Sequence, residues 1–448
     1  MISATILWVS LTLGAGELPK VEPPPPPDFA KPVDYVAWYR RQTTVADEVN
    51  AVNAYASFLY DQGVESAQPI KVADDTAIGE QLMKVLANPD SWTPDKSEAL
   101  AQWVSKMEEL YLEPFMDGMK AERFALRWDP SLDFLADRPL PPLANGRVVG
   151  QMMFARAWRL SDRTLYVNNM VEAVGSTAAY GCHLSEGLSV YEQFIGAGIR
   201  DFVCRELALS LGHRVRLPEH WVEVVRVFEE NDQTSVMECY ARSLCYSEAA
   251  ALQLVQHFFP ATKEGDQPAK PTLDLDRIHA YFAKHRQPQP PDGNDLERLA
   301  AADPNALAKA ISDYYSGLRD ILRAPAILDL NERLKKLNEA TFGAQPAMAS
   351  FVTPVDLMLP SYVEQEATRR MLHLFLRMAL QYKQTGEWPA SLDELKGVGI
   401  DTCRIDPFSG EPFKIHYFPA GPALYSVGPD GKDDRADKNK DILLRPKV

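Results

Sequence analysis

Residues 361–385 read SYVEQEATRRMLHLFLRMALQYKQT, and Gly386-Glu-Trp-Pro389 follows them. Val363, Ala367, Met371, Leu374, Met378 and Tyr382 recur at steps of three and four, which places them on one face of an α-helix. Gly386 supplies the residue at which such a helix stops. The same period extends back toward the N-terminus. A helix is predicted over about 234–259, stopped by Pro260. Helical patterning also covers about 147–211, with breaks near Ser161-Asp162 and Ser185-Glu186-Gly187. Thr93-Pro94-Asp95 reads as a helix start, with Thr93 as N-cap, and Leu100, Val104, Met107 and Tyr111 continue it. Alanine- and leucine-rich helices of about 15–25 residues with short breaks predict a mainly α protein built of stacked helical hairpins. No self-similarity stands out at a period of about 34 residues, so a tetratricopeptide-like stack is one form this architecture can take.

The chain has 448 residues, 46% apolar and 24% charged, which are proportions of a folded protein. Its 62 acidic and 47 basic residues leave a net charge of −15. That sign argues against nucleic acid and against anionic lipid surfaces as partners. Residues 1–16, MISATILWVSLTLGAG, carry no charged side chain and end in small residues. They read as a signal peptide or N-terminal anchor, with cleavage expected near Gly16. The protein is therefore expected to be exported to the periplasm or cell envelope, to meet protein partners there, and to touch a membrane only through this segment. Residues 17–33, with five consecutive prolines at Pro23–Pro27, read as a Pro-rich linker. A helical domain is expected over 34–260, a Pro-rich loop region over 261–291 and a helical continuation over 292–360. A C-terminal module is expected over 361–448.

Beyond Gly386 the character changes. Ser391-Leu-Asp-Glu394 is a capping box, and alternation over 414–418 and 424–427 reads as short strands. The order of motifs is Gly386-Glu-Trp-Pro389-Ala-Ser-Leu392, Asp406-Pro-Phe-Ser-Gly410-Glu-Pro-Phe413 and Tyr425-Ser-Val-Gly428-Pro-Asp430-Gly431. It resembles the globular body of the major pseudopilins of type II secretion, with core motifs G-x-Y-P-x-x-L, D-P-W-G-x-P-Y and Y-S-x-G-x-D-G. The match covers about residues 362–448. The resemblance implies a small α+β module whose last loop binds calcium, with Asp430 and Asp441 at matching acidic positions. The leader, cleavage site and hydrophobic helix of a pseudopilin do not precede the module, and Lys440-Asp441 stands where the family has two acids. Assembly into a filament is accordingly not expected. Residues 168–176 and 184–211 are more loosely similar to exported bacterial helical proteins that end in such a module and have no assigned activity.

The spacing of the last acids makes a calcium reading in its own right. Asp430, Asp433, Asp434, Asp437, Asn439 and Asp441 place six oxygen-bearing side chains within one short loop, and calcium takes six to eight oxygens. Lys432, Arg435, Lys438 and Lys440 interleave with them, and a solvated polar loop is the alternative. A second concentration comprises Cys182, His183, Cys204, His213, His220, Cys239, Cys245 and His257. It lacks paired zinc spacing, so packed core thiols are expected. Five cysteines in an exported chain leave room for one or two disulfides. No G-x-S-x-G, S-x-x-K, H-E-x-x-H or Gly-rich phosphate loop occurs. Glu248, within an apolar helix, is expected to be partly buried and paired with Arg242 or another arginine. These observations favour a non-catalytic scaffold or binding protein. The alternatives are an envelope hydrolase using the Cys/His-rich helices and an accessory component of a secretion machine.

Overall fold

The computed structural model describes residues 20–448 apart from 62–64, 67–75, 88–97, 128–131, 136–137, 139, 160–164, 213–217, 233, 263–269, 285–292, 353–354, 398, 419–420, 438–439 and 445–448. The helix start at Thr93 and the N-terminal apolar run therefore lie outside the described residues.

The fold is mainly helical, with a small antiparallel sheet near the C-terminus. Short helices come first: α1 (Tyr35–Thr43), α2 (Val52–Leu59), α3 (Thr76–Ala87), α4 (Glu98–Lys106) and α5 (Glu113–Gly118). The body follows: α6 (Asn145–Arg159), α7 (Leu165–Glu186), α8 (Val190–Gly212), α9 (Pro218–Asn231) and α10 (Val236–Phe258). After α11 (Leu275–Lys284) and α12 (Gly293–Ala301) come α13 (Pro304–Arg323), α14 (Leu330–Ala344), α15 (Leu359–Thr385) and α16 (Ile400–Cys403). No helix among the described residues is long and apolar enough to cross a membrane.

Local chemistry sets these boundaries. Ser189 and Glu192 form a reciprocal capping box at the start of α8, each accepting the other's backbone N–H at 3.1 Å. Asp303 caps α13 ahead of Pro304. Gly386 ends α15 at φ 80°, a backbone conformation that glycine adopts without strain.

The long helix decides the packing. Met371, Leu374, Phe375 and Met378 of α15 join one apolar cluster with α10, α13 and the C-terminal region. Leu372, Leu376 and Leu380 join a second cluster built by α2 and α6–α9. The helix is thus buried on two sides, and each enclosed leucine contributes about 1.5–3 kcal/mol. It is the spine between the two cores. Helices α7 and α8 approach closely through glycines: a Cβ on Gly196 would lie 2.7 Å from the Gly181 carbonyl oxygen.

Two-residue pairs β1 (Tyr60–Asp61) with β2 (Glu65–Ser66) and β3 (Ala261–Thr262) with β4 (Lys270–Pro271) are peripheral. The C-terminal sheet has the order β5 (Lys414–Phe418), β6 (Gly421–Ser426), β7 (Ile442–Leu444). It packs against the helical body. The Ile327 N–H donates to the Pro407 and Phe408 carbonyls, and Leu392, Phe408 and Val427 belong to the cluster shared with α10 and α13.

Two expected connectors are also packed. The Tyr35 hydroxyl donates to the Pro25 carbonyl, Phe29 is buried, and Gln256 clasps the backbone of Val33 at both N–H and C=O. A semi-rigid extended segment loses little entropy when it lies down on a surface. Within 261–291, α11 places Ile278 and Tyr281 in that same cluster, so one core continues across the Pro-rich region.

Candidate functional site

The strongest concentration of buried charge lies where α8, the α9–α10 turn and α15 meet. Asp232, fully buried in that turn, accepts from Arg200 Nε of α8 at 2.5 Å and from His373 Nε2 of α15 at 2.8 Å. Arg369 Nη1 donates to the Asp232 carbonyl at 3.0 Å and lies 3.5 Å from its carboxylate. Glu366, also fully buried, accepts from Arg369, from Arg370 and from the Val236 N–H that opens α10. Burial alone would raise both carboxyls. The guanidiniums around them, with His373 at Asp232, hold both well below the usual carboxylate range. Two further ties extend the network: Arg370 reaches the Ile405 carbonyl, and Arg377 forms a two-pronged pair with Glu229 of α9.

Asp232 and His373 have the relation of a carboxylate orienting an imidazole, and the ring is enclosed in the interior. His373 is 3% exposed and lies against Phe228, and its Nδ1 has no hydrogen-bond partner. General-base chemistry needs a proton donor of substrate or nucleophile within reach of that nitrogen. The network is built as a set of cross-links.

The Cys/His-rich stretch disperses in the same way. Cys182 Sγ donates to the Asn231 carbonyl at 2.6 Å, and burial pushes its thiol up to about 12. His183 turns elsewhere. Its Nε2 bonds the Ala121 carbonyl, which can only accept, so Nδ1 accepts from the Tyr55 hydroxyl at 2.9 Å. Burial lowers its pKa to about 4, leaving a neutral core imidazole. Burial also raises the thiols of Cys204, Cys239 and Cys245, with Cys239 at about 11, and an apolar thiol is unreactive. All five cysteines are free thiols. His213 lies outside the described residues. Glu248 is buried and pairs with Arg319 of α13 at 2.6 Å, not with Arg242.

The acidic loop is ordered by its own chain. Asp433 bonds Lys414 and the Tyr425 hydroxyl, and Asp434 bonds Lys440 at 2.9 Å. Asp430 accepts from the Lys432 N–H, and Asp441, 5% exposed, accepts from the Asp437 N–H at 3.1 Å. Burial raises the Asp441 carboxyl, and nearby Asp434 adds to the rise. Asp433 therefore faces β5 and β6, apart from the Asp434–Asp441 neighbourhood. Asn439 lies outside the described residues. Among the described residues no group of three or more His, Cys, Asp or Glu is placed to hold a metal ion.

The sequence reading missed Arg200, Asp232, Glu366, Arg369 and His373. The local signal was Glu366-Ala-Thr-Arg-Arg370, whose steps of three and four allow a carboxylate to meet two arginines on one helix face. Compared with known proteins, the chain matches no family model, no curated protein and no solved structure.

Proposed function

We propose that this protein is a non-catalytic helical scaffold of the cell envelope. Its hairpins would present surfaces to protein partners, and its C-terminal region would be a pseudopilin-like cap fused to the body. The observation that carries this reading is the use made of the ionisable groups. Asp232, Glu366, Arg369 and His373 bond one another across helices, and Cys182 and His183 are committed to interior partners. Side chains spent on cross-links favour rigidity over turnover. The stacked-hairpin form draws support from the antiparallel succession of α6, α7 and α8. Export rests on the N-terminal apolar run, and the calcium reading rests on the resemblance and the acid spacing. A calcium ion would have to displace Lys440 from Asp434 and re-aim Asp433 away from Lys414.

Complementation in the native host tests the reading. A deletion strain receives the protein carrying Cys182→Ser, His183→Gln and His373→Gln, each with its fold verified by thermal melting. Full restoration by folded variants is expected. A folded variant that fails to restore function would point to an enzyme using that group.

A further inference from the structure

Among the described residues, the enclosed arginines of the body hold carboxylates with one exception. Arg138 pairs with Glu192, Arg200 with Asp232, Arg319 with Glu248 and Arg369 with Glu366. The exception is Arg242 of α10, which is 4% exposed. Its Nε and Nη1 are buried, and among the described residues neither has a hydrogen-bond partner. Arginine keeps its proton inside proteins, so these are donors of a full positive charge. A buried charge without hydrogen bonds is among the costliest states a side chain can occupy.

The helix period places this group. Arg242 lies one turn beyond Glu238 and three residues beyond Cys239, which hydrogen-bonds Ser185 near the end of α7. Glu186 closes α7 at that point. Glu186 and Glu238 are the carboxylates that attract the guanidinium, and Arg123 is the cation that repels it. Both carboxylates are already engaged. Glu186 accepts from Arg123 Nε at 2.9 Å and from the Phe124 N–H at 3.2 Å, and Glu238 lies 3.9 Å from Arg323. The side chains of Arg123 and Glu238 are 38% and 46% exposed, so Arg242 lies on the inner side of a charged patch that faces water.

We propose that Arg242 is the receptor for a carboxylate supplied from outside the fold, admitted between Glu238 and the Arg123–Glu186 pair. A planar guanidinium meets a carboxylate through two parallel N–H bonds, and a carboxylate is the partner that the other enclosed arginines take from within the chain. Phosphate is the poorer guest, because Glu186 and Glu238 repel a dianion about twice as strongly as a single carboxylate. The donors are covered as the chain stands, and the flexible stem of Arg242 lets them turn outward to the guest. Such an opening suits one small terminal group: a free organic acid, or the tip of an Asp or Glu side chain on a partner. The site stands whether or not the protein is a scaffold.

Thermal melting of the full chain at constant ionic strength, with acetate replacing chloride, tests the proposal. The midpoint of the unaltered protein should rise with acetate, since a ligand of the folded state stabilises it by mass action. Phosphate in place of acetate should raise it less. Arg242→Met should weaken the response to acetate by about ten- to hundredfold, the worth of a hydrogen bond to a charged group. The same variant in chloride should melt no lower than the unaltered protein, because it removes a lone buried charge. The peptide acetyl-Gly-Asp-Gly-amide separates the two sources: a stronger response than to acetate assigns the site to a partner's side chain, and a weaker one to a free acid. An equal acetate response in Arg242→Met would overturn the site. So would a midpoint lowered by that substitution in chloride, since the guanidinium would then have a partner within the chain.

Discussion

Asp232→Ala is the perturbation that bears most directly on the buried network. It removes a carboxylate that is fully enclosed and bonded to Arg200 at 2.5 Å and His373 at 2.8 Å. Arg369 keeps Glu366 as a partner, but Arg200, itself 2% exposed, loses its carboxylate. Two unit charges about 4 Å apart attract by about 4 kcal/mol at an effective dielectric constant of about 20. Leaving one member of a buried pair uncompensated costs about 3–5 kcal/mol in measured cases, so the two routes agree. Urea unfolding at neutral pH, followed by circular dichroism, should show that loss at unchanged slope. Replacing both partners, Asp232→Leu with Arg200→Met, should recover most of it, because no lone charge is left inside. The acid limb carries a second signature. The carboxyls of Asp232 and Glu366 are held low, so their stabilisation is present above their ordinary values of 3.8 and 4.5 and is lost as pH falls. Asp232→Ala should flatten that limb. A loss below about 1 kcal/mol, in the range of exposed ion pairs, would refute the description of this cluster as an interior cross-link.

Other expectations follow from single features. Glu206→Gln should stabilise the protein by about 3 kcal/mol at pH 7 and by nothing at pH 4, since only above pH 4.5 does folding require an extra proton there; thermal melts at the two pH values read this. Gly196→Ala should lower stability by about 1–3 kcal/mol, because the new methyl meets the Gly181 carbonyl oxygen at 2.7 Å. Gly198→Ala on the same helix meets nothing within 4 Å and should gain about 0.5–1 kcal/mol. Lys414 and Lys440 already compensate the acidic loop, so melts of the full chain in calcium and in chelator should coincide. A midpoint raised by calcium and returned by Asp434→Asn would show that the loop rearranges around the ion.

The helical period made α15 legible to within two residues of its observed start, yet it revealed only one of two apolar faces. The run Met371-Leu-His-Leu-Phe-Leu376 carries overlapping stripes, and a reading that follows Met371 and Leu374 passes over Leu372 and Leu376. That second stripe makes the helix a spine between two cores. The strand at 414–418 is visible as alternation, and the stretch read as a strand at 424–427 overlaps the second half of the observed 421–426, whereas Ile442–Leu444 is too short to alternate. Arg200 meets Asp232 across 32 residues and Arg369 meets it across 137, and separations of that size leave no periodic trace. Glu248 was expected to need an arginine, and burial did demand one. The helix pairing supplied Arg319 of α13 in place of Arg242 on the same helix. In the acidic loop, spacing exposed the oxygens but not their direction. Lys414 lies on a strand that the loop's own sequence does not mention.

The body and the C-terminal region share one core, joined by α15 and its buried charges. Calorimetry of the full chain at neutral pH measures this directly. One transition is expected, with calorimetric and van't Hoff enthalpies that agree, and one transition of the same kind at lower temperature after Asp232→Ala. Two separate transitions in the unaltered protein, one belonging to residues beyond Gly386, would contradict it.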